Sequence, residues 1–244
     1  MSGPADGALA AELAERVGDV LLDLRRSGLP GQALASEGDR RAQQLLADRL
    51  RADRPGDAVL SEEAADQPER LIASRVWIID PLDGTREYSQ GRDDWAVHVA
   101  LWVEGELTAG AVALPTRGLV LRSDRPEAVP DADGRPPRIA VSRTRAPDVA
   151  SAVADALGGE MVPLGSAGYK VGAVVLGDVD AYVHAGGQYE WDSAAPVAVA
   201  RAAGLHVSRL DGAPLRYNQP EPWLPDLLVA RPELASRILA VTRG

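Results

Sequence analysis

The residues best suited to chemistry in this 244-residue chain are carboxylates that arrive close together and have no basic neighbour between them. In "WIIDPLDGTREY", Trp77 to Tyr88, an apolar run leads straight into Asp80 and Asp83. Two carboxylates at the end of a buried strand repel one another and lose hydration, so a positive charge is expected between them. "LSEE" ends the preceding extended run and offers Glu62 or Glu63 to the same sheet edge, and "EWDSAA" puts Asp192 where a helix begins. An oxygen-only set of this kind suits Mg²⁺, which takes oxygen ligands and water in an octahedron. Each residue also has a plainer reading. Asp83-Gly84-Thr85 fits a simple turn, and Asp39 and Asp192 both stand where a helix N-cap is expected.

Other chemistries are poorly served. The chain has no cysteine, so any metal must be held by oxygen or histidine. No serine elbow or nucleophilic histidine competes, and His98, inside the alternating run "WAVHVALW", reads as a packed strand residue. A formal charge of −10 argues against duplex nucleic acid as a partner. It leaves room for a small anionic substrate if a metal supplies the positive charge. No apolar run approaches the roughly 20 residues of a membrane span. The N-terminal stretch also lacks the basic-then-apolar pattern of a signal peptide, so a cytoplasmic location is expected.

These acids must be positioned by ordinary elements. Leu9, Leu13, Val17, Val20, Leu21 and Leu24 recur at helical spacing from Ala8 to Arg26, and a second helix is expected from Asp39 to Asp53. "AVLSEE", "RVWIIDP", "WAVHVALWVEG", "LTAGAVALP" and "GLVLRSD" then read as strands, most too close together for crossover helices and hence largely antiparallel. Pro81 is expected to end the ladder of its strand. Arg125 to Arg138, rich in Pro and Asp, reads as a linker. It separates an α+β half, residues 1–127, from an α/β half, residues 128–244, in which strands and helices alternate.

The joint pattern "LSEE", "WIIDPLDGTREY" and "EWDSAA", in this order and at these separations, resembles the three metal-binding motifs of the inositol monophosphatase superfamily of Mg²⁺-dependent, lithium-sensitive phosphatases. The likeness runs from about Ser36 to Asn218. Arg86-Glu87-Tyr88, "GSAGYK" and "VSRTR" are similar to the CysQ-type branch, which acts on 3′-phosphoadenosine 5′-phosphate (PAP). That branch often shows Ser-Arg-Ser-His where this chain has Ser142-Arg143-Thr144-Arg145. In simple inositol phosphatases a glutamate stands near the position of His184.

The resemblance implies a layered αβαβα sandwich with the site in the cleft between the halves. It implies hydrolysis of the PAP 3′-phosphate to AMP, with PAPS as a further substrate, in sulfur assimilation. Inositol 1-phosphate or fructose 1,6-bisphosphate would be the alternative substrates, and an inactive metal- or nucleotide-binding module a remote one. Glu62, Asp80 and the Leu82 carbonyl would hold one Mg²⁺, and Asp80, Asp83 and Asp192 a second, with a third weaker ion near Glu62. Asp39 would accept a hydrogen bond from Thr85, which orients the attacking water. Gly84 and Thr85 would donate amides to the phosphate. Arg143, Ser166, Lys170 and Asp192 would face the rest of the substrate, with the start of the helix at Ser166 receiving sugar or phosphate. A homodimer is also compatible with the resemblance.

Overall fold

The structure, a computed structural model, describes residues 5–243. Helix α1 (Asp6–Arg26) buries Leu9, Leu13, Val17, Leu21 and Leu24 along one face, as their spacing requires. Helix α2 (Gly31–Asp53) starts at Gly31 rather than near Asp39, because Leu34, Ala35 and Gly38 continue the buried face of Ala42, Leu46 and Leu50 toward the N-terminus. Asp39 therefore lies inside a helix and is not a cap.

Strands β1 (Ala58–Ser61), β2 (Arg75–Asp83), β3 (Ala96–Val103), β4 (Glu106–Leu114) and β5 (Leu119–Arg122) form one sheet in that order. All neighbours are antiparallel except β1, which runs parallel to β2. A short helix α3 (Thr85–Ser89) follows β2. Period-two alternation sends Trp77 and Ile79 toward α1 and α2, and Val76 and Ile78 to the opposite face. Asp80 inherits the second face by parity. Asp83 alone would not.

The pairing corrects the expectation for Pro81: the ladder skips Pro81 and Leu82 and resumes at Asp83. Asp80 stands opposite His98 and Asp83 opposite Ala96, so β2 advances three residues while β3 advances two. One extra residue is a β-bulge, and a slip of one residue turns side chains to the other face. The bulge thus brings Asp83 round to the face that already carries Asp80.

The second half supplies β6 (Arg138–Ser142), α4 (Asp148–Leu157), β7 (Glu160–Leu164), α5 (Ala167–Val175), β8 (Ala181–Tyr189), α6 (Glu190–Ala202), β9 (His206–Ser208), β10 (Trp223–Ala230) and α7 (Pro232–Thr242). Its sheet runs β7-β6-β8-β10-β9. Val171 and Val174 of α5 and Ala194 and Val197 of α6 pack between Ile78 and Ala100 of the first sheet and Tyr182, Leu227 and Val229 of the second. Ala150 and Val153 of α4 and Ile238 of α7 cover the far face through Ile139, Val183 and Leu228. The layers are therefore α1/α2, sheet, α5/α6, sheet, α4/α7, the expected αβαβα sandwich. Among the described residues no helix is long and apolar enough to cross a membrane.

The stretch expected to be a linker holds no helix or strand from 123 to 137, yet it is tied down. Arg231 Nη1 donates to Pro130 O at 2.6 Å and Arg135 Nη2 to Gly177 O at 3.1 Å. Buried Asp180 organises these ties, accepting from Arg231 Nε at 2.8 Å, from the Arg138 amide at 2.8 Å, and from Arg135. Burial works to raise the Asp180 carboxyl, but the Arg138 amide and the two arginines hold it below its ordinary value. Asp180→Asn removes the charge that satisfies them. It is expected to cost about 2–3 kcal/mol, read as a fall in Tm of roughly 5–10 °C in a chain of this length.

Candidate active site

One carboxylate oxygen from each of Asp80, Asp83 and Asp192 lies within 4.8 Å of the others. Asp80 is fully buried: Oδ1 accepts from the Leu82 amide at 3.0 Å, while Oδ2 has no partner. Burial, together with the charges of Glu62, Asp83 and Asp192, pushes the Asp80 carboxyl well up. Asp192 is the third residue of α6 and not its cap, which is Tyr189. Its Oδ2 accepts from the Tyr189 amide at 2.6 Å, and burial beside Asp83 raises it to about 6. Glu62 is an exposed residue outside this tight trio, raised to about 7 by desolvation of its carboxyl and by the charges of Asp192, Asp83 and Glu63. An unpartnered buried oxygen among carboxylates held against their mutual repulsion fits a hard divalent cation.

Asp83 has a second set of partners that the sequence did not disclose. Its Oδ2 accepts from Ser166 Oγ and from the Gly168 amide, both at 2.6 Å, and its Oδ1 from the Ala167 amide at 3.2 Å. His98 Nε2 lies 3.1 Å from Oδ2. Burial alone would raise this carboxyl, yet His98, Ser166 and Gly168 bring it down to about 2. The start of α5 was expected to receive sugar or phosphate, but it is filled by Asp83 of the other half. Anion binding at a helix N-terminus is the physics in both cases; here the anion is a side chain. Ser166 thus acts inside the protein, on Asp83.

His98 is a packed strand residue, as expected, and its ring also faces Asp83. It is fully buried, with Nδ1 3.0 Å from Trp191 O. Burial works against its protonation, but Asp83 outweighs this and raises its pKa. Gly168 makes the contact feasible, since a Cβ there would sit 1.9 Å from His98 Nε2.

The remaining expected residues divide. Thr85 Oγ1 lies 3.3 Å from Asp39 Oδ1 and 3.0 Å from the Leu82 carbonyl, so the expected Asp39–Thr85 pair forms between α2 and α3. Burial and the nearby Glu63 push Asp39 up to about 6. Gly84 adopts φ +90°, and a Cβ on it would come within 3.0 Å of Ser166 Cβ, so the turn there favours glycine.

Lys170 is neither solvated nor open to a ligand. It is 4 % exposed, its Nζ donates to the carbonyls of Gly165 and Ser166 across the start of α5, and it lies 5.0 Å from the Tyr182 ring centroid. Arg143 pairs with Asp94 through Nη2 and lies 3.6 Å from Glu87, while its buried Nη1 has no hydrogen-bond partner. Asp94 in turn accepts from the Gly165 amide at 2.6 Å. Tyr88 is fully buried, with its hydroxyl donating to Leu21 O at 2.8 Å and its ring edge-on to Trp95. The tail of "DGTREY" therefore braces α3 against α1 and the second half. His184 lies 2.9 Å from Gly187 O through Nε2, and Arg145 is exposed.

A cluster of this kind, on two sheets and a central helix layer, can be compared with known proteins. The profile described as "Inositol monophosphatase family" matches residues 8–127 and 135–243. The chain belongs to the inositol monophosphatase family. A member from Mycobacterium leprae named 3′-phosphoadenosine 5′-phosphate phosphatase is 56% identical over 253 aligned positions, covering 98% of this chain and 93% of that protein. An Escherichia coli member named 3′(2′),5′-bisphosphate nucleotidase CysQ is 31% identical over 160 positions, covering 62% and 65%. Among solved structures, CysQ from Bacteroides thetaiotaomicron is 25% identical with a TM-score of 0.77, covering 93% of this chain and 97% of that one. Inositol monophosphatase II of Staphylococcus aureus superposes with a TM-score of 0.80 at 20% identity, over 96% and 91%. The family is one of Mg²⁺-dependent phosphatases, which agrees with the oxygen-only donor set found here.

Proposed function

We propose that the protein is a Mg²⁺-dependent phosphomonoesterase that removes the 3′-phosphate of PAP, yielding AMP and phosphate, and that it also accepts PAPS. The observation that carries this reading is the assembly of Asp80, Asp83 and Asp192 beside the Asp39–Thr85 pair. Likeness to the M. leprae phosphatase across nearly the whole chain favours the nucleotide as substrate. A cytoplasmic place in sulfur assimilation goes with that substrate.

Glu62, Asp80 and the Leu82 carbonyl would hold one ion and Asp80, Asp83 and Asp192 a second, with a third near Glu62. When bound, such a pair polarises the phosphoryl oxygens and acidifies coordinated water. The protein's own groups do the rest. Thr85 Oγ1 donates toward Asp39 Oδ1, leaving its lone pairs to hold a water in line with the phosphorus. As that water attacks, the bond from phosphorus to the 3′-oxygen breaks; the proton of the water passes to Thr85 Oγ1 while the threonine proton passes to Asp39, and the leaving 3′-oxygen takes up a proton from solvent. An Asp39 carboxyl near 6 remains ionised at neutral pH and is basic enough to take part. The amides of Gly84 and Thr85, at the head of α3, donate to the phosphate oxygens. Asp39→Asn is expected to lower kcat about 10²–10⁴-fold, with circular dichroism unchanged.

Li⁺ should inhibit, since it matches Mg²⁺ in size but carries half the charge. Turnover unaffected by roughly 50 mM Li⁺, a concentration chosen because metal sites differ widely in affinity, would count against the proposed ion set. The substrate assignment is tested by phosphate release from PAP, PAPS, inositol 1-phosphate and fructose 1,6-bisphosphate under one set of conditions. The highest kcat/KM is expected for PAP; a higher value for inositol 1-phosphate would overturn the assignment.

A further inference from the structure

Beside the acidic cluster, aromatic rings are exposed where rings of their size usually find cover. Tyr189 is 42 % and Trp223 46 % exposed. Tyr189 stacks on Trp191 with centroids 4.7 Å apart and planes 11° apart, and it meets Trp223 edge-on at 5.5 Å.

The backbones beneath these rings are tied to the metal-site acids. The Tyr189 amide donates to Asp192 Oδ2 at 2.6 Å. The Trp191 carbonyl lies 3.0 Å from His98 Nδ1, and the other nitrogen of that ring faces Asp83. Trp223 stands opposite Tyr189 in the β10–β8 register. Its ring lies over Gly187, where a Cβ would come within 1.7 Å of it and where φ is +92°. The Glu190 amide donates to Pro222 O at 2.9 Å, fixing the approach of the Trp223 segment to α6. The backbones that carry Tyr189 and Trp191 are thus tied to residues of the anionic site, and Trp223 is held against Tyr189.

We propose that Tyr189 and Trp223 form the platform on which the planar base of the substrate stacks, and that they set the preference for a nucleotide over a polyol phosphate. The inference rests on the nucleotide reading given above. A ligand with a charged end and a flat end would engage both the carboxylates, suited to metal, and the exposed rings whose backbones are tied to them. A polyol has no π face to offer. Rigid rings also lose little conformational freedom on binding, and stacking tolerates any base.

The test is calorimetric binding of AMP, ribose 5-phosphate and inorganic phosphate to the Mg²⁺-loaded protein. Trp223→Ala is expected to weaken AMP about ten-fold and to leave ribose 5-phosphate and phosphate unchanged, while Trp223→Phe recovers most of the loss. With PAP as substrate, KM should rise and kcat should hold. Equal weakening of all three ligands, or no change in any, would overturn the platform. So would a shift of Trp223→Ala to a smaller species on size exclusion with AMP affinity intact, since a second copy of the chain would then be what covers the rings. Faster turnover of inositol 1-phosphate than of PAP would defeat the substrate assignment separately, because the AMP-against-ribose 5-phosphate difference is read by binding alone.

Discussion

Asp80→Asn should lower kcat/KM for PAP by about 10³-fold, the scale expected when a group stabilising transition-state charge is lost. At the same time it should raise the Tm of the metal-free protein. A substitution that harms activity and helps stability marks a site held together against its own electrostatics. Asp80 is buried, carries an unpartnered oxygen, and faces Glu62, Asp83 and Asp192. Removing its charge relieves repulsion that only a cation otherwise offsets. The pH dependence follows from the direction of the shifts. Glu62 near 7 and Asp192 near 6 bind protons more tightly folded than unfolded. Their contribution to stability is present at low pH and lost as pH rises through 6 to 7. The gain from Asp80→Asn in the metal-free state should therefore be larger at pH 8 than at pH 5, and saturating Mg²⁺ should reverse its sign. Thermal melts with and without chelator check all three.

The second large effect is expected from a residue that touches no substrate. Gly168→Ala would place a methyl 1.9 Å from His98 Nε2 inside a fully buried contact. Either the histidine or the start of α5 must move, and both hold Asp83. Overpacking of this kind costs about 1–3 kcal/mol, and Asp83 loses its geometry as well. The variant should melt lower by several degrees, bind Mg²⁺ more weakly, and lose most of its turnover. Gly56→Ala, where a Cβ meets nothing within 4 Å, serves as the control and should behave as wild type.

The contrast between Asp80 and Gly168 shows what a sequence discloses. Asp80, Asp83, Glu62 and Asp192 are visible because several carboxylates without a basic neighbour conflict with local folding rules, and the conflict points to an ion. The layers are visible too, because alternation in β2 and β3 and helical spacing in α1 follow directly from which faces are buried. What stays hidden depends on register. The approach of Asp83 to His98 requires the bulge between Asp80 and Asp83, and nothing local specifies it beyond Pro81 and Gly84.

Partners distant in sequence are hidden for a related reason. Ser166 and Lys170 have the chemistry of ligand-binding groups, but Asp83 and two carbonyls reach them first. Likewise, the cap position considered for Asp39 is ruled out because buried residues extend α2 upstream, and Asp192 proves to be the third residue of α6, where its side chain accepts from the cap amide.

The most direct measurement on the whole account is the identity of the product formed from PAP. Phosphorus NMR of the reaction mixture distinguishes AMP from adenosine 3′-phosphate. The proposed function requires inorganic phosphate and AMP alone, formed in Mg²⁺ and absent when the metal is chelated. Adenosine 3′-phosphate as the product, or equal turnover after chelation, would contradict it.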